Sequence, residues 1–316
     1  MSESLVAFGM NMSFAIRYLL ILIHAEYLTK LIQNFPKSYT EAEDAKFNIS
    51  KELRRCRIPF TVCFLASIFA LLRNTITHAV HRKFFVTIKF PFDTSNDFAY
   101  YGLVLWLMSV VTLGAFLIRV TENILTGMTV LLVIEFQRLS DGIMNLRQQI
   151  EKLSQASSAS TSQNIINIRK KREITRKVHE IIQRHVELLD TRDGLENIFA
   201  PAFLITLVFG VLGITSGEFQ ILIAKDIIQK VGVTFISLAQ VLTTSVQCYY
   251  GQKLKDASKE IADAIYDSKW EEIDDPMVRR DIIMVLMRSQ NSKTLTCWKF
   301  AENSIELFST VSIFKV

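Results

Sequence analysis

The sequence predicts an all-α membrane protein: a bundle of six transmembrane helices with long cytoplasmic helical extensions. Three observations carry that prediction. Half of the 316 residues are hydrophobic, and the mean hydropathy is +0.26. The longest apolar runs match the roughly 20 residues that a helix needs to cross the hydrocarbon core. Finally, Lys and Arg collect in alternate loops, as the positive-inside rule requires of a polytopic chain.

The runs are Leu5–Ala25, Ile58–Val80, Phe98–Ile118, Ile198–Gly217, Val231–Tyr250 and a shorter one, Ser304–Val316. The opening residues lack a basic segment and a small-residue cleavage pattern, so the first run is read as a permanent span. Residues 26–57, 137–197 and 251–303 carry seven, eleven and nine Lys and Arg, against six on the alternate side (Arg73, Arg82, Lys83, Lys89, Lys225 and Lys230). Those three loops are therefore placed inside. This gives membrane helices over 1–136 (with the inside loop 26–57), a cytoplasmic helical stretch 137–197, membrane helices 198–250, a cytoplasmic loop 251–303 and a last membrane helix 304–316.

Polar residues within the spans are the natural candidates for special roles. Arg17 lies mid-span and is read as snorkelling or pairing inside the bundle. Phe98 to Phe136 is mostly apolar, interrupted chiefly around Arg119–Asn123. Its second half is too short to cross, so one long helix continuing into the cytoplasm is expected. Arg119 and Glu122, three apart, are placed to pair on one face. After the Ser-rich break at 154–163, Ile174, Val178, Ile181, Ile182, Val186 and Leu189 recur at helical spacing. They predict a packed cytoplasmic helix with a basic start, an anionic lipid surface being the other reading for those basic residues. Pro201 is expected at a helix start or a kink.

Catalytic motifs are missing: there is no Gly-rich nucleotide loop, no HExxH and no nucleophile elbow. His78 and His81 could hold a metal only with partners that the neighbouring sequence does not supply. No enzyme activity, metal, cofactor or nucleic-acid partner is expected. The four cysteines show neither metal nor disulfide spacing.

The stretch Cys248–Gln290 runs from the end of an apolar span through Tyr266 and Trp270 to Arg279, Arg280 and Met287-Arg288-Ser289-Gln290. That order of residue types resembles the last cytoplasmic loop of the insect odorant receptors. The resemblance implies seven spans and a cytoplasmic N-terminus, so this chain is expected to correspond to spans two to seven, lacking the first and the end of the last. It also implies a multi-pass plasma-membrane protein of olfactory sensory neuron dendrites. Such a subunit binds a small volatile apolar odorant and gates a cation channel, in a probable tetramer with a co-receptor in the lipid bilayer. The implied odorant pocket lies in the outer half of the bundle, where Phe8, Met12, Phe69, Tyr101, Leu105, Met108 and Phe235 are the candidate lining. Helix packing and an interfacial aromatic belt are the other readings of these positions. Tyr266, Trp270, Ile283 and Met287, with Ile282 and Leu286, are candidates for a cytoplasmic subunit anchor or for packing within the chain. A truncated, non-conducting receptor fragment or incomplete gene model is the alternative. A gustatory receptor, a G-protein-coupled receptor or a transporter fits less well.

Overall fold

The computed structural model describes residues 15–34, 50–65, 68–69, 72, 97–156, 164–223, 227–273, 275–290 and 294–313. Phe8, Met12, His78, His81 and about half of the first two expected spans lie outside them. The described residues are helical apart from one short hairpin. Helices α1 (residues 15–23) and α2 (Ala25–Asn34) meet at His24, and α3 covers residues 50–65. Next come α4 (Asp97–Ala156), α5 (Asn164–Ile223), α6 (Ile227–Tyr266), α7 (Pro276–Gln290) and α8 (Ile305–Ile313). The hairpin pairs β1 (Thr296–Cys297) with β2 (Ala301–Glu302), antiparallel.

Among the described residues, three helices are long and apolar enough to span a membrane: 97–152, 171–223 and 230–266. Each runs on well past its apolar stretch. Helix α4 has 60 residues, which makes it about 90 Å long. Thus the apolar run from Phe98 and the polar segment after Phe136 are one helix. Helix α5 is equally long and passes through Pro201 without ending. Its basic residues at 169–177 lie 21 or more residues ahead of Ile198, roughly 30 Å or more along the axis.

The chain divides into two compact units, one containing residues 1–127 and 198–247, the other residues 128–197 and 248–313. In the first, helix contacts are close and polar groups are few. Gly210 faces the Gln240 side chain, and a Cβ on Gly217 would lie 2.8 Å from Ser237 Oγ. Small residues here let α5 and α6 approach, as membrane helices do when lipid supplies no hydrophobic drive. The Cys63 thiol donates to the Ala239 carbonyl at 3.4 Å, joining α3 to α6.

The second unit has an apolar core, with Leu132, Phe136, Leu195, Leu254, Ile261 and Leu295 buried. Helix α7 starts at Pro276, whose missing N–H costs nothing there, and the Asp275 carboxylate caps the Met277 N–H at 2.9 Å. Its buried face is Val278, Ile282, Val285 and Ser289. On α5 the buried stripe runs Ile174, Val178, His185, Leu188 and Arg192, while Val186 is exposed and Leu189 only half-buried. The expected stripe is therefore one residue out of register at its end. The cause is His185, a polar residue that the core accepts because Ser289 Oγ stands 3.3 Å from its Nε2.

Candidate functional site

Two features of the described residues are candidates: a charge cluster buried within the membrane unit, and apolar faces that the chain itself leaves uncovered.

The cluster centres on Glu122. Arg119, one helical turn earlier on α4, donates from Nη1 to Glu122 Oε2 at 2.7 Å. Arg17, on α1, donates from Nη1 to Oε1 at 3.2 Å. The Glu122 side chain is 3% exposed and that of Arg17 is 6%. Charges so placed in an apolar span must pair, because the alternative is an ion without water or counterion. The spacing of three made the Arg119 contact legible from sequence. The Arg17 contact, 105 residues away, was not; the available signal was that each span carries charge where only a charged partner makes it tolerable.

Beside the cluster lies a cavity lined by Arg17, Thr121, Glu122, Phe199, Phe203, Thr206 and Gln247, among others, with a volume of about 10 Å³. That is room for about one water molecule and none for an odorant. Its chemistry also suits water. Arg17 Nε has no acceptor among the described residues. Thr121 and Thr206 spend their hydroxyl protons on the carbonyls of Leu117 and Ala202, each at 2.8 Å, leaving oxygen lone pairs to face an incoming donor. A halide, which only accepts, would meet those lone pairs unfavourably.

Of the candidate odorant residues, the described ones (Phe69, Tyr101, Leu105, Met108 and Phe235) do not line this cavity. Phe69, Tyr101, Leu105 and Phe235 are exposed, and Met108 is half-buried. Tyr101 packs edge-on against the buried Tyr100, with ring centroids 5.4 Å apart. For a helix in a membrane, such exposure means a surface turned to lipid, to a ligand or to a neighbouring chain.

In the second unit the candidate anchor residues separate by face. Ile282 is buried and packs within the chain, whereas Ile283 and Met287 point outward beside Met277 and Met284. Tyr266 is 75% exposed, and Trp270, in a short 3-10 turn (Trp270–Glu272), is half-buried. Helix α7 is therefore apolar on two faces, of which the described residues cover one.

The fold has known counterparts. The insect olfactory receptor OR5 from Machilis hrabei superposes with a TM-score of 0.76 at 13% identity, covering 98% of this chain and 77% of that one. The same receptor in complex with eugenol gives 0.74 over the same coverage. Among curated proteins, odorant receptor 13a of Drosophila melanogaster is 22% identical over 325 residues, 94% of this chain and 73% of that protein. Odorant receptor 22c of the same fly is 25% identical over 142 residues, 44% of this chain and 35% of its own length. The family model described as 7tm Odorant receptor matches residues 1–314, nearly the whole chain. Long apolar helices, together with these matches, lead to one conclusion: the chain belongs to the 7tm odorant receptor family.

Proposed function

We propose that this protein is an odorant receptor subunit that binds a small, volatile, largely apolar ligand and shifts a heteromeric cation channel, built with a co-receptor in the plasma membrane of olfactory neurons, toward opening. The observation that carries the reading is the family match over residues 1–314. A relative of the same fold has been solved with eugenol, a small aromatic odorant. The protein acts by binding, not by catalysis. The ligand must favour the open state over the closed one, since equal affinity for both would shift nothing.

The ligand surface is assigned to the outer-half residues Phe8, Met12, Phe69, Tyr101, Leu105, Met108 and Phe235, which offer apolar area with one phenolic hydroxyl as a polar handle. The single-water cavity at Arg17 is too small for this role. The anchor is assigned to the outward face of α7, Ile283 and Met287, with Tyr266 and Trp270. Aromatic and Met side chains suit such a contact, because they give large buried area and adapt to a partner's shape.

The test is co-expression with an odorant co-receptor in oocytes, recording current over a panel of volatiles. An odorant-evoked cation current absent from the co-receptor alone is expected. Met108→Ala should then move the half-maximal concentration about tenfold, the effect of roughly 1.4 kcal/mol of lost apolar contact. Surface-trafficked protein that stays silent across the panel would overturn the proposal.

A further inference from the structure

The hairpin between α7 and α8 is held with unusual firmness for four paired residues. The Glu196 carboxylate accepts the Thr296 N–H at 2.9 and 3.1 Å and also takes the Thr296 hydroxyl. The Thr294 hydroxyl donates to the Gly251 carbonyl at 3.2 Å. The Asn303 backbone sits so close to Gly251 that a Cβ there would lie 2.4 Å from the Asn303 oxygen. Two helices, α5 and α6, thus clamp the two ends of the hairpin.

Its tip is strained. Phe300 N–H closes the turn on the Cys297 carbonyl at 3.0 Å, and both central residues, Trp298 (φ 47°) and Lys299 (φ 64°), are left-handed. That is the pattern of a type I′ turn, which Asn and Gly normally occupy. Left-handed conformation is disfavoured for any residue that carries a side chain. The strain presents Trp298, 57% exposed, and Phe300, 81% exposed, on either side of Lys299.

Three membrane boundaries meet at this hairpin. Glu196 precedes the apolar run of α5 by two residues, Gly251 follows the run that ends at Tyr250, and α8 begins at Ile305. The same edge carries Tyr249 and Tyr250, whose rings lie 5.1 and 5.8 Å from the Lys253 ammonium. Aromatic rings and lysines gathered at one level are the signature of a membrane–water interface.

We propose that the Trp298–Lys299–Phe300 tip is a lipid anchor, with its two aromatic rings inserted at the headgroup level of the cytoplasmic leaflet and Lys299 set against lipid phosphates. The leaflet follows from the positive-inside orientation. Ser304, whose hydroxyl accepts the Leu307 N–H at 3.2 Å, caps α8 four residues beyond Phe300. An anchored tip therefore fixes the height at which the last helix enters the bilayer.

The test uses the full chain assembled with its co-receptor in phosphatidylcholine–phosphatidylserine vesicles. A nitroxide label is placed at Phe300→Cys and, separately, at Lys299→Cys, with Lys259→Cys on the exposed face of α6 as the aqueous reference. The native cysteines are all buried and free, and an unsubstituted sample corrects for any label that they take. Collisional relaxation by oxygen, which partitions into lipid, is compared with that by a water-soluble nickel chelate. The expected result is an oxygen-to-nickel ratio severalfold higher at 300 than at 259, with 299 between them. A label at 300 as open to nickel as the one at 259 would overturn the proposal. A label shielded from both reagents would overturn it too, since a partner subunit would then cover the tip. If Phe300→Cys fails to assemble, the Lys299→Cys reading decides alone, on the same criteria.

Discussion

Replacing Glu122 by Gln keeps the shape of the side chain and removes the one negative charge that two guanidinium groups share. Both contacts are short, 2.7 Å to Arg119 and 3.2 Å to Arg17. At about 4 Å between charge centres and an effective dielectric near 20, each pair is worth roughly 4 kcal/mol of gross attraction. Much of that offsets desolvation in the native protein, so the pairs add little beyond an apolar replacement. Removing one partner is a different matter, because Arg17 then stays buried with its charge uncompensated. Breaking a buried pair in this way costs about 3–5 kcal/mol. Neutral hydrogen bonds in membrane bundles reach only about 1–2 kcal/mol, so the charge decides the outcome. At about 2–4 °C per kcal/mol, the melting temperature of the detergent-solubilised full chain should fall by roughly 6–20 °C, read by fluorescence-detected size exclusion after heating. Adding Arg17→Met to Glu122→Gln removes the stranded charge and should recover part of the loss, giving a coupling energy of at least about 1 kcal/mol. A Glu122→Gln protein melting within about 2 °C of the parent, or strictly additive single changes, would refute the reasoning.

Two further outcomes concern the second compact unit. Burial, helped by the nearby Arg288, pushes the His185 pKa down to about 4, so the native imidazole is neutral while the unfolded one gains its proton below about 6.5. The unfolded state then binds more protons between those values, and stability is constant above pH 6.5 and falls as pH drops toward 4. At pH 5 the parent should lose about 2 kcal/mol more than His185→Gln relative to pH 7.5, and equal losses in chemical denaturation would dismiss the idea. At Gly251, alanine gains about 1 kcal/mol of helix propensity but places its methyl 2.4 Å from Asn303 backbone. Overpacking of about 1–3 kcal/mol should exceed that gain; a Gly251→Ala protein that melts higher than the parent would show that the hairpin seat yields freely.

What the sequence made legible were features whose signal is local and repeated. The apolar run from Phe98 and the polar segment beyond Phe136 read as one helix because the remainder was too short for a second crossing. The Arg119–Glu122 pair was legible from helical spacing alone. The order of residues from Cys248 to Gln290 pointed to the family. Long-range and irregular features stayed hidden. Arg17 reaches Glu122 across 105 residues, and no periodicity encodes such a distance. Helix α5 keeps His185 in its buried stripe in place of Val186, and a serine on α7 partners its Nε2. The hairpin at 296–302 has no Gly, Asn or Pro at its tip, and left-handed Trp and Lys violate the rule by which turns are recognised. Tertiary clamping by Glu196 and Gly251 overrides that local preference.

The Glu122 cluster has a counterpart further along the same helix, and the pair tests how far environment sets the value of a salt bridge. Glu135 lies 13 residues beyond Glu122, about 20 Å along α4. It too collects one arginine from its own helix, Arg138 at 3.1 Å, and one from another, Arg184 at 2.7 Å. The carboxylates are almost equally buried, with side chains 3% and 5% exposed. Their partners differ: Arg17 is 6% exposed and Arg184 34%. A guanidinium that reaches water can rehydrate when its carboxylate is lost, whereas one enclosed in an apolar span cannot. Glu135→Gln should therefore cost about 1 kcal/mol, near the value of a partly exposed pair, against the 3–5 kcal/mol expected at Glu122. Geometry alone predicts the opposite order or near equality, since the Arg184 contact is the shorter of the two that bridge helices. Thermal shifts of the two Gln variants measured side by side decide between these accounts, and a larger loss at Glu135 would show that burial of the partner is not what sets the cost.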